Sequence, residues 1–263
     1  MQKVHSLILA LAVGIVVPQI SHAQYASSVI SYNPGTGANA SFTNNPGAAL
    51  GSPALGGSVT PFAPPFANSQ IVGLGTGGEI TLQMSTPILN NAADPYGINF
   101  LLFGNQFFSE GSGAVVSGLF DHSPVVTIQV SSDGSTWYTL NPTLAPEPTL
   151  YPTAGNGNAA IPVNPALTLS SFTGQNLAGI YSLYNGSAGG TGYDLAWAQD
   201  SNGNSVNLAS VDYVQIDVQS GLLYLDAISE VAPVPEPSTW ALISVGACLF
   251  WMYRRKKDRL NSL

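Results

Sequence analysis

Every lysine and arginine of this 263-residue chain lies at one of its two ends, six residues in all. Lys3 stands at the start, and the others fall between 254 and 259. Of the 14 acidic residues, all but Asp258 lie in the long stretch between these ends. This stretch therefore cannot form lysine or arginine salt bridges, and its fold must depend on apolar burial and hydrogen bonds. Its negative charge also argues against nucleic acid as a direct partner.

The N-terminal residues have the pattern of a secretory signal peptide. Lys3 precedes a short apolar run over 7–17, and Ser21-His22-Ala23 supplies the small residues that signal peptidase recognises. The pattern predicts a signal peptide over 1–23 that is cleaved after Ala23. An uncleaved membrane anchor is the alternative, although the run is short for a span.

A second apolar run, Trp240–Tyr253, predicts a transmembrane helix over 239–253. At 1.5 Å per residue such a helix is about 21 Å long, which is short for a hydrocarbon core of about 30 Å. The basic residues of 254–259 can extend to the membrane surface, and they predict that the tail stays in the cytoplasm. A buried core helix is the alternative. The single cysteine, Cys248, falls in this run, so no intramolecular disulfide can form.

The order of features at the C-terminus resembles a known sorting signal. Pro235-Glu236-Pro237 is followed by the apolar run and then by the basic cluster, and this combination resembles the PEP-CTERM signal of Gram-negative bacteria. The resemblance implies that 232–263 is the sorting signal and that an exosortase-type enzyme recognises Pro235, Glu236 and Pro237. It also implies delivery to the cell surface or extracellular matrix after anchoring in the inner membrane. A permanent anchor with a stiff proline linker remains the alternative.

The region between the ends has the pattern of an all-β protein. Residues 24–70 are rich in Gly, Ala, Ser, Asn and Pro, which predicts an irregular segment. From 71 to 231, apolar and polar residues alternate in short runs with turn residues between them. The clearest predicted strands are 79–85, 97–103, 125–131, 214–218 and 222–231. Asp133-Gly134 predicts a hairpin turn. We therefore expect 71–231 to form a single antiparallel β-sandwich of jelly-roll type.

Several short segments in this region resemble secreted bacterial proteins with a galactose-binding-like, discoidin-type sandwich. These segments are 42–44, 48–53, 77–82, 130–134, 193–196 and 225–228. The resemblance implies the same sandwich fold. In that family the strand corresponding to 98–105 carries an acidic pair, whereas this chain has Asn99 and Gly104. A metal or ligand role for that pair is therefore not implied here.

The many carboxylates without internal cations predict a Ca²⁺ site, because Ca²⁺ binds through carboxylate and carbonyl oxygens. Asp194 and Asp226 lie in two of the segments that carry the resemblance, and Asp133 lies in a third. These three residues are the candidate metal ligands. The alternative is that they are solvated turn and edge residues, where aspartate is common.

Other motifs favour ordinary structural roles. The sequence over 73–78 matches G-x-G-x-x-G, but a strand pattern follows it where a dinucleotide site requires a helix. His122 follows Asp121 in a turn-like stretch and is interpreted as a surface residue. Paired carboxylates could hydrolyse glycosides in a groove lined by aromatic residues. The aromatic candidates for such a groove are Trp137, Tyr138, Trp197 and Tyr224.

These observations predict an exported, non-catalytic protein of the cell surface or extracellular matrix. Its expected partners are the exosortase-type enzyme, the inner membrane and extracellular polysaccharide, with Ca²⁺ as the candidate cofactor. The alternative is a secreted glycoside-active enzyme that uses paired carboxylates. A cleft with two carboxylates at hydrolytic spacing and exposed aromatic residues around them would favour the enzyme.

Overall fold

In the computed structural model, the residues described are 24–232 without 92, 122 and 149. Several sequence predictions lie outside these residues: the signal peptide 1–23 with Ala23, His122, the motif Pro235-Glu236-Pro237 and the transmembrane helix 239–253. Within the described part of the chain, no helix combines the length and apolar character needed to cross a bilayer.

The described residues form twelve β-strands. In chain order they are β1 Ala26–Asn33, β2 Val72–Leu74, β3 Gly78–Leu89, β4 Phe100–Gly104, β5 Phe107–Gly111, β6 Val115–Phe120, β7 Val125–Ser131, β8 Tyr138–Leu140, β9 Thr191–Tyr193, β10 Ala198–Gln199, β11 Ser210–Ser220 and β12 Leu223–Glu230. One sheet has the order β1-β3-β11-β7-β8-β10, a second has the order β2-β12-β4-β9, and β5 pairs with β6. All these pairs are antiparallel.

The main hydrophobic core lies between the six-stranded and four-stranded sheets. Ile80 and Ile216 are opposite each other on β3 and β11 of the first sheet, and both are fully buried. Leu225 and Ile228 of β12 reach the same core from the second sheet. Alternate residues of a strand point to opposite faces, so the period-two pattern places one apolar face of each sheet against the other.

The prediction of an all-β fold with antiparallel strands is confirmed. Residues 125–131 form β7 as predicted, and β7 pairs with β8 across the turn that contains Asp133 and Gly134. The expectation that 24–70 is irregular is corrected for β1, which pairs with β3 at the edge of the six-stranded sheet. Serine-rich β1 alternates only weakly, so its conformation depends on pairing with the distant β3 rather than on local pattern.

Two short helices also occur where the sequence pattern indicated none. Helix α1 spans Leu169–Phe172 and α2 spans Leu177–Tyr184, both between β8 and β9. The Asn176 side chain caps α2 by accepting a hydrogen bond from the Gly179 backbone N–H at 3.0 Å. Phe172 and Tyr184 pack with Phe108 of β5 in a second, smaller core. Helices of one or two turns are too short for a clear 3.6-residue period.

Candidate functional site

Three carboxylates converge at one end of the four-stranded sheet. Phe100, the first residue of β4, is opposite both Tyr193 of β9 and Glu230 of β12. Asp194 directly follows Tyr193, and Asp94 precedes the 3₁₀ turn Pro95–Gly97 that leads into β4. We call Asp94, Asp194 and Glu230 the acidic edge. The strand order, rather than sequence proximity, brings these residues together.

Asn99 organises the acidic edge through both ends of its buried side chain. Its Nδ2 donates to Oδ2 of Asp94 at 2.9 Å, and its Oδ1 accepts from the Leu195 backbone N–H at 2.8 Å. Oδ1 of Asp194 accepts from the Ala196 backbone N–H at 2.7 Å, which fixes the start of the turn Leu195–Trp197. Asn99 therefore links Asp94 to the turn that follows β9.

The three carboxylates all favour their protonated forms more than free carboxylates do. Asp94 is 6% exposed, and this burial raises its pKa. The hydrogen bond from Asn99 offsets part of the increase, and the nearby charge of Asp194 adds to it. Burial also raises the pKa of Asp194, although the Ala196 hydrogen bond opposes this shift. Burial likewise raises the pKa of Glu230; a hydrogen bond from the Leu89 backbone N–H opposes the shift, and the charge of Asp94 adds to it. Desolvation and like charges both disfavour ionisation. No lysine or arginine occurs over 24–232 to offset these charges.

One oxygen of Asp94 has no hydrogen-bond partner among the described residues. Oδ2 accepts from Asn99, but Oδ1 is buried and unpartnered. An unpartnered buried polar atom is uncommon and costs about 1–3 kcal/mol, more if the group is charged. The acidic edge therefore contains a buried acceptor that no described residue uses.

An exposed aromatic residue stands on the turn next to these carboxylates. Tyr96 has φ 60° and ψ 12°, and 58% of its surface is exposed. This left-handed conformation is unfavourable for a residue with a side chain, and such strain is frequent in functional loops. A Cβ atom placed on the next residue, Gly97, would lie 3.2 Å from Oδ2 of Asp194. The turn that carries Tyr96 thus runs directly against Asp194.

Asp226 has a different environment from the acidic edge. It is 2% exposed on β12, and the Ala54 backbone N–H donates to Oδ2 at 2.9 Å and to Oδ1 at 3.1 Å. Burial raises the pKa of Asp226 to about 7, although the Ala54 hydrogen bond opposes this shift. Asp226 therefore ties the irregular segment before β2 to the four-stranded sheet.

Asp133 stabilises the loop between β7 and β8. Its Oδ1 accepts from the backbone N–H groups of Ser135 and Thr136, both at 2.7 Å. These hydrogen bonds hold the pKa of the exposed Asp133 carboxyl well below its usual range, and the bond from Thr136 has the largest effect. This arrangement is typical of a turn aspartate.

The structure therefore places the three predicted Ca²⁺ ligands, Asp133, Asp194 and Asp226, in three separate settings. Asp194 is the one that lies beside another carboxylate, Asp94. Among the described residues, no three His, Cys, Asp or Glu side chains are placed to share one metal ion. Ca²⁺ binding stays a prediction, and the structure adds no preformed cluster in its support.

The aromatic residues considered for a sugar-binding groove mostly contribute to packing. Tyr224 is 6% exposed, and Tyr138 and Trp197 pack against the main core. Trp137 makes an edge contact with Tyr213, at 6.5 Å between ring centres. These four residues do not form one exposed aromatic surface.

Two other sequence features are resolved by local geometry. The glycine motif over 73–78 leads directly into strand β3, not into a helix. This agrees with the interpretation of the motif as a glycine-rich connection. At Gly104, a Cβ would lie 2.8 Å from Oε1 of Gln106 and 2.8 Å from the Tyr224 carbonyl oxygen. A side chain therefore does not fit at Gly104 in this backbone.

A cavity of about 160 Å³ lies elsewhere, against β7 and β8. Its walls include Ile128, Leu140 and the prolines Pro142, Pro146 and Pro148. Glu147 is the one carboxylate among its lining residues. The cavity therefore lacks the pair of acidic residues that glycoside hydrolysis requires.

No protein-family model matches the chain, and no curated protein matches it in sequence. The acidic edge is thus defined by its own geometry. Sequence reasoning had selected Asp194 but had missed Asp94, Tyr96 and Glu230. The run Asp94-Pro95-Tyr96-Gly97 was the available signal, since Asp, Pro and Gly in this order predict a tight turn.

Proposed function

We propose that this chain is an exported, non-catalytic protein of the cell surface or extracellular matrix. A signal peptide over 1–23, cleaved after Ala23, would direct export of a jelly-roll-type sandwich. The helix over 239–253 would anchor it in the inner membrane, at least until an exosortase-type enzyme acts at Pro235-Glu236-Pro237. The confinement of all basic residues to the two ends supports this topology, because lysine and arginine favour the cytoplasmic side.

A reporter fusion tests the export proposal. A reporter that is active only outside the cytoplasm, fused just before Trp240, should give signal, whereas the same reporter fused after Leu263 should not. Removal of the basic residues of 254–259 should weaken this difference. Reporter activity in the cytoplasm for the fusion before Trp240 would contradict the proposal.

We further propose that the exported body binds glycans at the acidic edge. The observation that carries this proposal is the exposed Tyr96 ring on a turn that runs against Asp194. An exposed aromatic ring offers an apolar face for a sugar ring, and carboxylates accept strong hydrogen bonds from hydroxyl groups. A few polar groups beside an apolar surface are typical of sites that orient a small ligand.

A glycan array with the full-length protein in detergent tests this proposal. Binding should be lost in Tyr96→Ala, which removes the ring but keeps a residue with a Cβ at the strained position. Phe66→Ala is the matched control, because Phe66 is also well exposed, at 67%, on another loop. Equal glycan binding by both variants and the wild type would refute the acidic edge as the site.

A glycoside-active enzyme remains the second candidate, and one observation favours it. Asp94 and Asp194 are neighbouring carboxyl groups with raised pKa values, a feature typical of general acids in glycosidases. Against it, Asp94 is almost inaccessible, whereas a catalytic acid must reach the glycosidic oxygen. Release of reducing sugar from glycans that bind, and its loss in Asp194→Asn, would favour the enzyme over the binding protein.

A further inference from the structure

The sequence Asp94-Pro95 occurs once in this chain, at the turn that leads into β4. An aspartyl–prolyl bond is chemically fragile, because the aspartate carboxyl can attack its own backbone carbonyl as a nucleophile. The proline nitrogen is a good leaving group, since it departs as a basic secondary amine. This reaction is intramolecular, so it requires no external ligand to reach the buried Asp94 side chain.

The backbone conformation of Asp94 favours attack on the bond to Pro95. With ψ 138°, the Cα–Cβ bond of Asp94 stands nearly perpendicular to the plane of the peptide that follows. A carboxyl group on that Cβ therefore approaches the carbonyl carbon from a face of the peptide, as a nucleophile must. The attack closes a five-membered ring, and groups held in such a geometry react as if at very high concentration.

Hydrogen bonds prepare both reacting groups. The Gly97 backbone N–H donates to the Asp94 carbonyl oxygen at 3.1 Å, and such a donor stabilises the negative charge that develops on this oxygen during attack. Asn99 Nδ2 donates to Oδ2 of Asp94 at 2.9 Å. Oδ1 has no partner among the described residues, so Oδ1 is the oxygen that is free to attack.

The surroundings of Asp94 help its carboxyl to keep the proton that the leaving nitrogen needs. Burial raises the pKa of Asp94, and the charge of Asp194 adds to this shift while the Asn99 hydrogen bond opposes it. The charged groups that interact with Asp94 are Asp194 and Glu230, and both favour its protonated form. Residues 24–232 contain no lysine or arginine that could reverse this effect.

The turn that follows the bond is strained. Tyr96 has φ 60° and Gly97 has φ 76°. The left-handed conformation is unfavourable for tyrosine, and the surrounding structure must hold it in place. Breaking the bond between Asp94 and Pro95 frees this turn at one end. Relief of the strain therefore favours the cleaved product.

We propose that this protein cleaves its own Asp94–Pro95 bond. Oδ1 bonds to the Asp94 carbonyl carbon, the carboxyl proton passes to the Pro95 nitrogen, and the carbon–nitrogen bond breaks. The products of this step are a cyclic anhydride at Asp94 and a free amino terminus at Pro95. One water molecule then opens the anhydride, which restores the side chain and creates a new α-carboxyl group. This inference does not depend on the proposed glycan binding.

The fold holds the two products together. Strands β1, β2 and β3 precede the cleaved bond, and the other strands follow it. β3 pairs with β11 in the six-stranded sheet, and β2 pairs with β12 in the four-stranded sheet. Both sheets therefore join the two fragments, so cleavage yields a two-chain protein rather than two separate pieces.

The test compares the folded protein with the same chain unfolded in urea, because both contain the same fragile bond. The full-length protein in detergent is incubated at pH 5 with protease inhibitors, and the products are identified by denaturing electrophoresis and mass spectrometry. We expect a C-terminal fragment that begins at Pro95 and forms at least about tenfold faster in the folded protein. The fragments should coelute in gel filtration without denaturant. Cleavage of the folded protein should slow as pH rises and Asp94 loses its proton.

Three variants assign the reaction to this bond. Asp94→Asn removes the attacking carboxyl and should abolish cleavage. Pro95→Ala keeps the carboxyl but makes the nitrogen a poorer leaving group, so cleavage should be slower. Asp217→Asn on β11 is the control, since it removes a carboxylate from another strand and should leave the rate unchanged. Thermal melts verify folding. If Asp94→Asn does not fold, Pro95→Ala and the comparison with unfolded wild type decide the result.

Four results would overturn the proposal. Equal rates in the folded and unfolded protein would mean that the fold does not promote cleavage. An intact folded chain after prolonged incubation would mean that the fold protects the bond. A fragment that begins at another residue, or cleavage that persists in Asp94→Asn, would assign the reaction to another group. Each of these results leaves glycan binding untouched, because the array tests it separately.

Discussion

Replacing Asp226 with asparagine should remove a pH-dependent contribution to the stability of the fold. Asp226 is almost fully buried, and its carboxylate has a backbone N–H, that of Ala54, as its hydrogen-bond donor. Asparagine has nearly the same shape and keeps a side-chain oxygen for this hydrogen bond. It carries no charge in the pH range of interest, so the substitution isolates the cost of burying the ionised carboxylate.

The expected magnitude follows from the pKa of Asp226. An aspartate in an unfolded chain has a pKa of about 3.9, and burial raises that of folded Asp226 to about 7. The difference of about three units corresponds to about 4 kcal/mol, at about 1.4 kcal/mol per unit. Between these values the folded state binds a proton that the unfolded state does not. The free energy of unfolding of the wild type therefore falls as pH rises from about 4 to about 7, and this contribution is constant above that range.

Urea unfolding of the full-length wild type and Asp226→Asn, at intervals from pH 4 to pH 8, measures this effect. The free energy of unfolding of the variant minus that of the wild type should rise by about 4 kcal/mol across this range. Taking the difference removes the contributions of carboxylates common to both proteins. The variant should be the more stable protein at pH 8.

Asp133→Asn is the control, because the pKa of Asp133 is shifted in the opposite direction from that of Asp226. Hydrogen bonds lower the pKa of Asp133, so its stabilising contribution is present above the unfolded pKa and is lost only as pH falls below it. Its difference curve should therefore be flat from about pH 5 to pH 8. If the Asp226→Asn difference is also flat over this interval, the carboxylate is not buried as described and the reasoning fails.

Three further predictions concern packing and metal binding. Gly190 and Gly203 both have positive φ angles, 78° and 79°. A Cβ atom added at Gly190 would lie 2.9 Å from the Phe103 ring, whereas one added at Gly203 would have no described atom within 4 Å. Gly190→Ala should therefore lower the free energy of unfolding by about 1–3 kcal/mol more than Gly203→Ala in urea titrations, and equal losses would contradict the close approach. Ile216→Ala in the main core should cost about 2–5 kcal/mol, whereas Ile30→Ala on the exposed side of β1 should change stability by about 0.5 kcal/mol or less; a similar loss at both sites would be inconsistent with the core. Ca²⁺ at 100 times its dissociation constant should stabilise the protein by about 2.7 kcal/mol relative to EDTA, and superimposable thermal melts would exclude the Ca²⁺ site.

Individual strands were predictable to the extent that burial imposed a pattern on them. Over 125–131 the alternation is regular, and β7 begins and ends where it does. Strand β1 was missed because an edge strand with many serines buries little apolar surface. Helix α2 was missed because eight residues give about two turns, in which a helical period is hard to distinguish.

The candidate site was less predictable than the fold. Asp194 was selected, but it was grouped with Asp133 and Asp226, which have unrelated hydrogen-bond partners. The structure places Asp194 beside Asp94, which lies 100 residues earlier in the sequence, whereas its hydrogen-bond donor is the nearby Ala196 backbone N–H. Nothing in a single sequence marks which carboxylates will meet when β4, β9 and β12 pair.

The sequence by itself determined the all-β architecture and the distribution of charge. Alternation specifies which face of each strand is buried, because side chains along a strand alternate between two faces. The absence of lysine and arginine over 24–232 likewise holds in any fold of this chain. Only the tertiary structure decided that Asp94, Asp194 and Glu230 share one end of a sheet and that Asp226 is buried. Those facts depend on pairing between distant strands, which creates both the proximity of the carboxylates and the low-dielectric surroundings that raise their pKa values.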